Sequence, residues 1–281
     1  MIRRATAADA EECGKICFEA FTTLATKHGF PPDFPNAEVP THVLSSMFSS
    51  PSFFCVVAER NGKIVGSNCM YESSSIAGVG PITIDPAAQN KSAGRQLMQA
   101  VMACAAERKL AGVRLVQAGY HTRSLSLYAK LGFVVREPLA CMQGSIGNPL
   151  PGYRVRPADA DDLGACNDLC LRIHGHDRGG ELQDAIQQGT AVIAESGGVI
   201  KAYVSSLGFF GHALAESNEA LQALIAAASE FQGPGILVPT RNAGLFLWCL
   251  ERGLRVVQPM TLMTMGLYNE PAGAFLPSIL F

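Results

Sequence analysis

The stretch Val79-Gly80-Pro81-Ile82-Thr83-Ile84-Asp85-Pro86-Ala87-Ala88-Gln89-Asn90-Lys91-Ser92-Ala93-Gly94 reads as a strand, a turn and the start of a helix. The apolar run to Ile84 is stopped by Asp85-Pro86, and a polar loop leads into a helical pattern near Ser92. Small side chains at Ser92, Ala93 and Gly94 leave successive backbone N–H groups uncovered where the helix dipole is positive, an arrangement suited to a pyrophosphate. Such a turn also occurs in α/β folds that bind nothing there, so the flanking residues have to decide.

Working outward, residues 2–5 read as a strand, and Asp9 precedes a helix with Cys13, Ile16, Cys17 and Phe21 on one face. The proline-rich segment His28-Gly29-Phe30-Pro31-Pro32-Asp33-Phe34-Pro35 is a loop carrying two aromatics, either the wall of an acceptor pocket or a surface excursion. A helix over Val39–Met47 and a strand over Phe53–Glu59 follow, and Asn61-Gly62 signals a hairpin into Lys63–Glu72. Ile76–Ile84 is the next strand, and Leu97, Val101, Met102 and Ala105 recur at helical spacing up to Gly112. Val113–Gln117 is a strand, Ser124 caps a short helix closed by Gly132, and Phe133–Arg136 is a further strand.

This order resembles the GNAT superfamily of acyl-CoA N-acyltransferases. Its phosphate-loop pattern, Gln/Arg-x-x-Gly-x-Gly/Ala, is similar to Gln89-Asn90-Lys91-Ser92-Ala93-Gly94, with Ser92 in the first glycine's place. Its later motif, Asn-x-x-Ala-x-x-Leu-Tyr-x-Lys-x-Gly-Phe, resembles the run from His121 to Phe133, with His121 for asparagine and Ser124 for alanine. The implied fold class is α/β (α+β mixed sheet), a central, largely antiparallel sheet flanked by helices. The implied co-substrate is acetyl-CoA, and the implied acceptor is an amine that attacks the thioester directly.

Carried onto this sequence, the resemblance lets the strands Ile82-Thr83-Ile84 and Val113–Gln117 part to admit the pantetheine arm. Gln89, Asn90, Lys91, Ser92, Ala93, Gly94 and Arg95 then hold the pyrophosphate, and His121 and Ser124 lie along the cofactor arm. Lys91 and Arg95 either touch phosphate or are simply solvated. Tyr128 is the candidate general acid for the leaving thiolate, with a core tyrosine as the alternative reading. Glu72, or a chain of waters, is the candidate base.

A second, eroded copy follows. Ile2, Arg3, Asp9, Cys13 and Cys17 recur as Val155, Arg156, Asp162, Cys166 and Cys170 at an offset of 153. Val56 to Glu59 recur as Val192 to Glu195 at 136, and Leu127, Tyr128 and Gly132 as Trp248, Cys249 and Gly253 at 121. The offset falls by 17 and then by 15 residues. These are deletions of the proline-rich loop and of the phosphate loop. The expected division is an acyl-CoA-binding domain over 1–146 and a degenerate domain over 153–281, joined by the turn-rich Gly144–Gly152. The apolar Phe209, Phe210, Phe275 and Leu276 are expected to pack on the first copy.

Composition narrows the function classes. With 24 acidic and 22 basic residues and no basic run, nucleic acid is not an expected partner. No apolar run approaches the roughly 18 to 20 residues of a membrane span, and the opening residues lack a secretory pattern, so the expected location is the cytoplasm. Nine cysteines, an odd count, argue for buried thiols over a disulfide framework. Cys13 and Cys17 read as core, and His174-Gly175-His176-Asp177 as a polar turn, so no metal is expected. An N-acyltransferase, a non-catalytic acyl-CoA sensor and a scaffold remain as readings.

Overall fold

The computed structural model describes residues 1–89 and 92–280. In the first half, β1 (Ile2–Arg4) leads to α1 (Ala10–Lys27), α2 (Glu38–Ser49), the hairpin β2 (Phe53–Arg60) and β3 (Lys63–Tyr71), and β4 (Ile76–Ile84). Then come α3 (Ala93–Glu107), β5 (Gly112–Ala118), α4 (Thr122–Lys130) and β6 (Val134–Gln143). The second half repeats the plan with β7 (Arg154–Pro157), α5 (Leu163–His174), α6 (Gly179–Gln187), β8 (Val192–Ser196), β9 (Val199–Val204) and β10 (Ala213–Ala215). It ends with α7 (Asn218–Ala227), β11 (Ile236–Pro239), α8 (Ala243–Glu251), β12 (Arg255–Gly266) and β13 (Ala274–Leu276). Residues 144–152, between β6 and β7, contain no helix or strand.

Local chemistry explains the boundaries. Asn61 (φ 52°) and Gly62 (φ 72°) supply the two left-handed residues of a tight hairpin turn between β2 and β3. α3 lays Leu97, Met98, Val101 and Ala105 against β2, β3 and β4. Each of the larger side chains contributes about 1.5–3 kcal/mol on burial. The helix stops earlier than the Gly112 expected from the sequence. Lys109 takes a left-handed φ of 57°, and the Lys109 and Leu110 amides donate back to the Ala106 and Ala105 carbonyls. α4 is closed by Gly132 (φ 97°) as expected, but it begins one turn earlier than its expected cap: His121 is the N-cap and Ser124 lies in the first turn.

The repeat is visible atom by atom. Arg3 forks onto Asp9 with its two terminal nitrogens at 2.8 and 2.7 Å, and its Nε donates to Glu59 at 2.8 Å. Arg156 does the same to Asp162 at 2.7 and 2.8 Å and donates to Glu195 at 2.7 Å. The guanidinium holds the Asp9 carboxyl down to about 2 and the Asp162 carboxyl below its ordinary range. Each trio ties the start of a copy to its first hairpin, so the offsets of 153 and 136 report a shared structural device.

The two halves exchange a strand. The large sheet runs β1-β2-β3-β4-β5-β12-β6-β11, so β12 of the second half lies between β5 and β6 of the first, and β6 lies between β12 and β11. At the centre of the β6–β12 pair, Leu139 faces Met260, its own counterpart at the offset of 121. A pseudo-twofold therefore passes between these strands, and each half completes the other's sheet. The core is shared too: Ala140 and Met142 of β6 are buried among Leu221, Ile225, Ile236 and Val238 of the second half.

The smaller sheet runs β13-β10-β9-β8-β7. β10 and β11 do not pair; instead β13 pairs antiparallel with β10 and packs on β11, so the chain's own tail fills the gap between them. Phe275 consequently packs inside the second half and not on the first as expected, whereas Leu276 joins the shared core that holds Ala140 and Met142, and Phe209 joins Val116, Leu139 and Met260 in another cluster drawn from both halves. The His174–Asp177 segment is also not the polar turn expected: His174 and His176 are buried, stacked at 5.5 Å, and His176 lies 3.2 Å from the buried Arg114. Because β5, β12, β6 and β11 form one hydrogen-bonded unit, the halves should unfold together. In a urea titration, fluorescence of Trp248, the single tryptophan, and circular dichroism of the whole chain should give coincident midpoints; two separated transitions would show that the halves are independent.

Candidate active site

β4 and β5 are parallel neighbours only from Ile76↔Gly112 to Gly78↔Arg114. Beyond that point they part, and Val79 to Ile84 on one side and Leu115 to Ala118 on the other line a cavity of about 780 Å³. That volume is in the range of small-molecule sites, roughly 300–1,000 Å³. Ile82, Thr83 and Ile84 stand on its wall. So does Gln117, which the sequence analysis did not single out beyond its strand. Its side chain is only 7% exposed, and neither its amide nitrogen nor its oxygen has a partner among the described residues. A buried amide left this way is costly unless a ligand satisfies it.

At one end of the cleft the Asp85 carboxylate accepts from the Ala87 amide at 2.8 Å and fixes a single 3-10 turn, Pro86–Ala88. Gln89, Ser92, Ala93, Gly94 and Arg95 all line the same cavity. Asn90 and Lys91 lie outside the described residues. Ser92 is the N-cap of α3 and has a left-handed φ of 66°. Glycine adopts that conformation without steric cost, which is the physical reason for a glycine there in the pattern this loop resembles. At Gly94 an added Cβ would meet only Ile84 and Leu127 side-chain atoms at 3.7 Å, so the loop packs close without being jammed. Arg123, passed over in the sequence analysis, also lines the cavity and donates to Gln89 Oε1 at 2.6 Å. Its place two residues after His121 in the same motif was the available signal.

Further along, α4 contributes Ser124 and Tyr128, and His121 precedes it. His121 Nδ1 is 2.7 Å from Ser124 Oγ. Burial, with the nearby Arg123, His28 and Lys27 charges, lowers the ring to about 4, so at neutral pH it is an uncharged imidazole with one donor and one acceptor, as an asparagine amide would be. Tyr128 is 5% exposed; burial pushes its hydroxyl up to about 12, opposed by a hydrogen bond with Ser124.

Glu72 is the expectation that the geometry overturns. Its side chain is ion-paired with Arg108 of α3 and does not line the cavity. The end of β3 points it at the helix and not at the cleft. The carboxylate that does line the cleft is Asp33, from the proline-rich loop, with its Oδ1 accepting from Gln258 Nε2 of β12 at 2.8 Å. The sequence carried a trace of this, a single acid between two proline-flanked aromatics, but not the strand exchange that brings Gln258 to it.

Residues 51–135 match the family model described as an acetyltransferase (GNAT) domain. Among solved structures, a candidate acetyltransferase from Pyrococcus horikoshii superposes with a TM-score of 0.73 at 18% identity, covering 98% of this chain and 93% of that one. A GCN5-related N-acetyltransferase from Sphaerobacter thermophilus gives 0.63 at 15% identity, covering 96% of each chain. A tandem GNAT protein from the clavulanic acid biosynthesis pathway gives 0.57 at 13%, covering 95% and 98%. At these identities the likeness is one of fold. Among curated proteins, none matches the chain's sequence.

The placement of Glu72 is checked by Glu72→Gln. The change should lower stability by about 1 kcal/mol through loss of the Arg108 pair, and leave CoA affinity by calorimetry within about twofold. A tenfold loss of affinity with the fold intact would return Glu72 to the site.

Proposed function

We propose, from the acetyltransferase (GNAT) domain matched over residues 51–135 and the cleft within it, that the chain is a GNAT-type acyltransferase that moves an acetyl group from acetyl-CoA to an amine by direct attack on the thioester. One observation carries this reading. The parting of β4 and β5, the N-terminus of α3 and Tyr128 of α4 all line a single cavity. In this reading residues 1–146 form the acyl-CoA-binding domain, and 153–281 form a degenerate domain that completes its sheet.

The residues present suit the co-substrate. The amides opening α3, with Arg95 and Arg123, meet the pyrophosphate at the mouth. The free edges of Val79–Ile84 and Leu115–Ala118 and the unsatisfied Gln117 amide meet the pantetheine amides. A backbone N–H of β4 stabilises the oxyanion as the amine nitrogen bonds to the carbonyl carbon. The C–S bond then breaks and the sulfur leaves with its electron pair.

Tyr128 meets that sulfur. Its hydroxyl, at about 12, keeps its proton at neutral pH. A CoA-type thiol lies near 8.5, so complete transfer from the phenol is uphill by about 5 kcal/mol. Tyr128 therefore acts first as a hydrogen-bond donor to the developing thiolate, in a site where such a bond is strong, and the proton finally held by sulfur comes from the new amide nitrogen. Its contact with Ser124 orients the hydroxyl.

A sensor that binds acyl-CoA without turnover would need the cleft but not the hydroxyl. Tyr128→Phe separates the two. Turnover with a good amine should fall roughly 10- to 10³-fold while CoA affinity stays within about twofold. Unchanged turnover would return Tyr128 to a core role, and an absence of CoA release from the wild type with any amine would leave the sensor reading.

A further inference from the structure

Three cations and one carboxylate stand among the described side chains lining the cleft. Arg95 and Arg123 stand with Gln89 at the α3 end, Lys27 comes from the last turn of α1, and the one carboxylate among the described lining residues is Asp33. Asp33 does not sit beside those arginines. It lies near Cys17 of α1, Cys141 of β6 and Tyr120, and is bonded to Gln258 of β12. Tyr120 in turn donates to Gln258 Oε1 at 3.0 Å, so a tyrosine, an amide and a carboxylate form one line of hydrogen bonds. The side-chain amide donates its N–H to the acid and accepts the phenol's O–H, which fixes the amide's orientation beside an acid that lines the cavity.

This half-buried acid has no ion-pair partner among the described residues. Burial raises its carboxyl above the ordinary value, the Gln258 hydrogen bond opposes this, and no nearby cation contributes. A carboxylate kept from water and from protein cations is a costly thing to retain. A cation delivered by a ligand would remove the cost and restore the ionised form. The walls around it describe the remainder of that ligand. Phe21 and Phe34 meet edge to face at 5.9 Å, Tyr120 is stacked on Phe30 at 4.3 Å, and Phe209 and Phe210 of the second half meet edge to face at 5.9 Å. Leu24 and the tail residues Ile279 and Leu280 complete the lining.

Resting on the acetyl-transfer reading above, we propose that the acceptor is a cationic primary amine on an apolar body, and that Asp33 receives its ammonium group and takes one of its protons. The ammonium gives that proton to the Asp33 carboxylate, leaving a neutral amine and a carboxylic acid. The nitrogen lone pair forms the C–N bond while the C–S bond breaks. The nitrogen gives up a second proton in becoming an amide, and that proton ends on the sulfur. Asp33 then returns its own to solvent, so the reaction releases one proton for each ammonium consumed. Gln258, which holds Asp33, belongs to β12, so the exchanged strand supplies a positioning contact to the first half's site.

The test uses the full chain with CoA bound and two probes of the same shape, 2-phenylethylamine and 2-phenylethanol, titrated by calorimetry. The amine should bind the wild type at least tenfold more tightly than the alcohol, and Asp33→Asn should lose roughly 10- to 10²-fold for the amine and little for the alcohol. Asp33→Asn should also keep its CoA affinity, which verifies that the variant is folded. Equal binding of the two probes, no binding of the amine, or an amine affinity unchanged in Asp33→Asn would each overturn the proposal. The wild-type comparison alone decides this if the variant does not fold. CoA release from acetyl-CoA, measured alongside with the same amine, keeps the two readings apart. Release at equal rate and KM in wild type and Asp33→Asn upholds acetyl transfer and overturns Asp33, whereas Asp33-dependent binding without release upholds the ammonium site and overturns acetyl transfer.

Discussion

An unpaired strand edge is the constraint on which this molecule is built. β6 lies one strand away from β5, and the gap between them is filled by β12, reached only after the chain has traversed most of its second half. The reciprocal holds for β11, whose partner is β6. Backbone N–H and C=O groups of a central strand have to be satisfied on both sides, so neither half closes its sheet without the other. Fusion of two copies in one chain turns a potential domain swap into a fixed feature, and the cost of exchange is removed because the partner strand is always at hand.

The same exchange explains why the second half persists without the motifs of the first. Between β10 and α7 there are only Glu216 and Ser217, and the Ser217 hydroxyl caps α7 by accepting from the Ala220 amide. The gap between β10 and β11 is taken by β13, and Cys249 is buried where the first copy has Tyr128. What the second half still provides is β12, with Met260 at the cleft and Gln258 bonded to Asp33, and Phe209, Phe210, Ile279 and Leu280 on the cleft's wall. A copy can shed loops at little cost to its core, but it cannot shed a strand that its neighbour's sheet requires.

Much of this was legible in the sequence, for identifiable reasons. Short-range chemistry was readable: Asn61-Gly62 makes its turn, Gly132 closes its helix, and the loop after Ile84 leads into the α3 N-terminus. The repeat was readable because Arg3, Asp9 and Glu59 and their counterparts are held to type and spacing by one hydrogen-bonded trio. What escaped depends on contacts between residues far apart in the chain. Asp33 and Gln258 are separated by 225 residues, and nothing in either neighbourhood announces the other. Glu72 looked well placed at a strand end, but which way it points is set by Arg108 on a helix 36 positions later. The surroundings of His174 and His176 likewise escaped, because His176 meets Arg114 of the other half and His174 meets His212, each distant in the chain.

The central claim is that the parted strands of the first half take acetyl-CoA and that the equivalent gap in the second is closed by the chain's own tail. The stoichiometry of CoA binding to the full chain, read by calorimetry, tests it directly. The account predicts one site per chain, abolished together with catalysis when Gly94→Val places a branched side chain at the opening of α3. Two sites per chain, or one site that survives Gly94→Val unchanged in a folded protein, would contradict it.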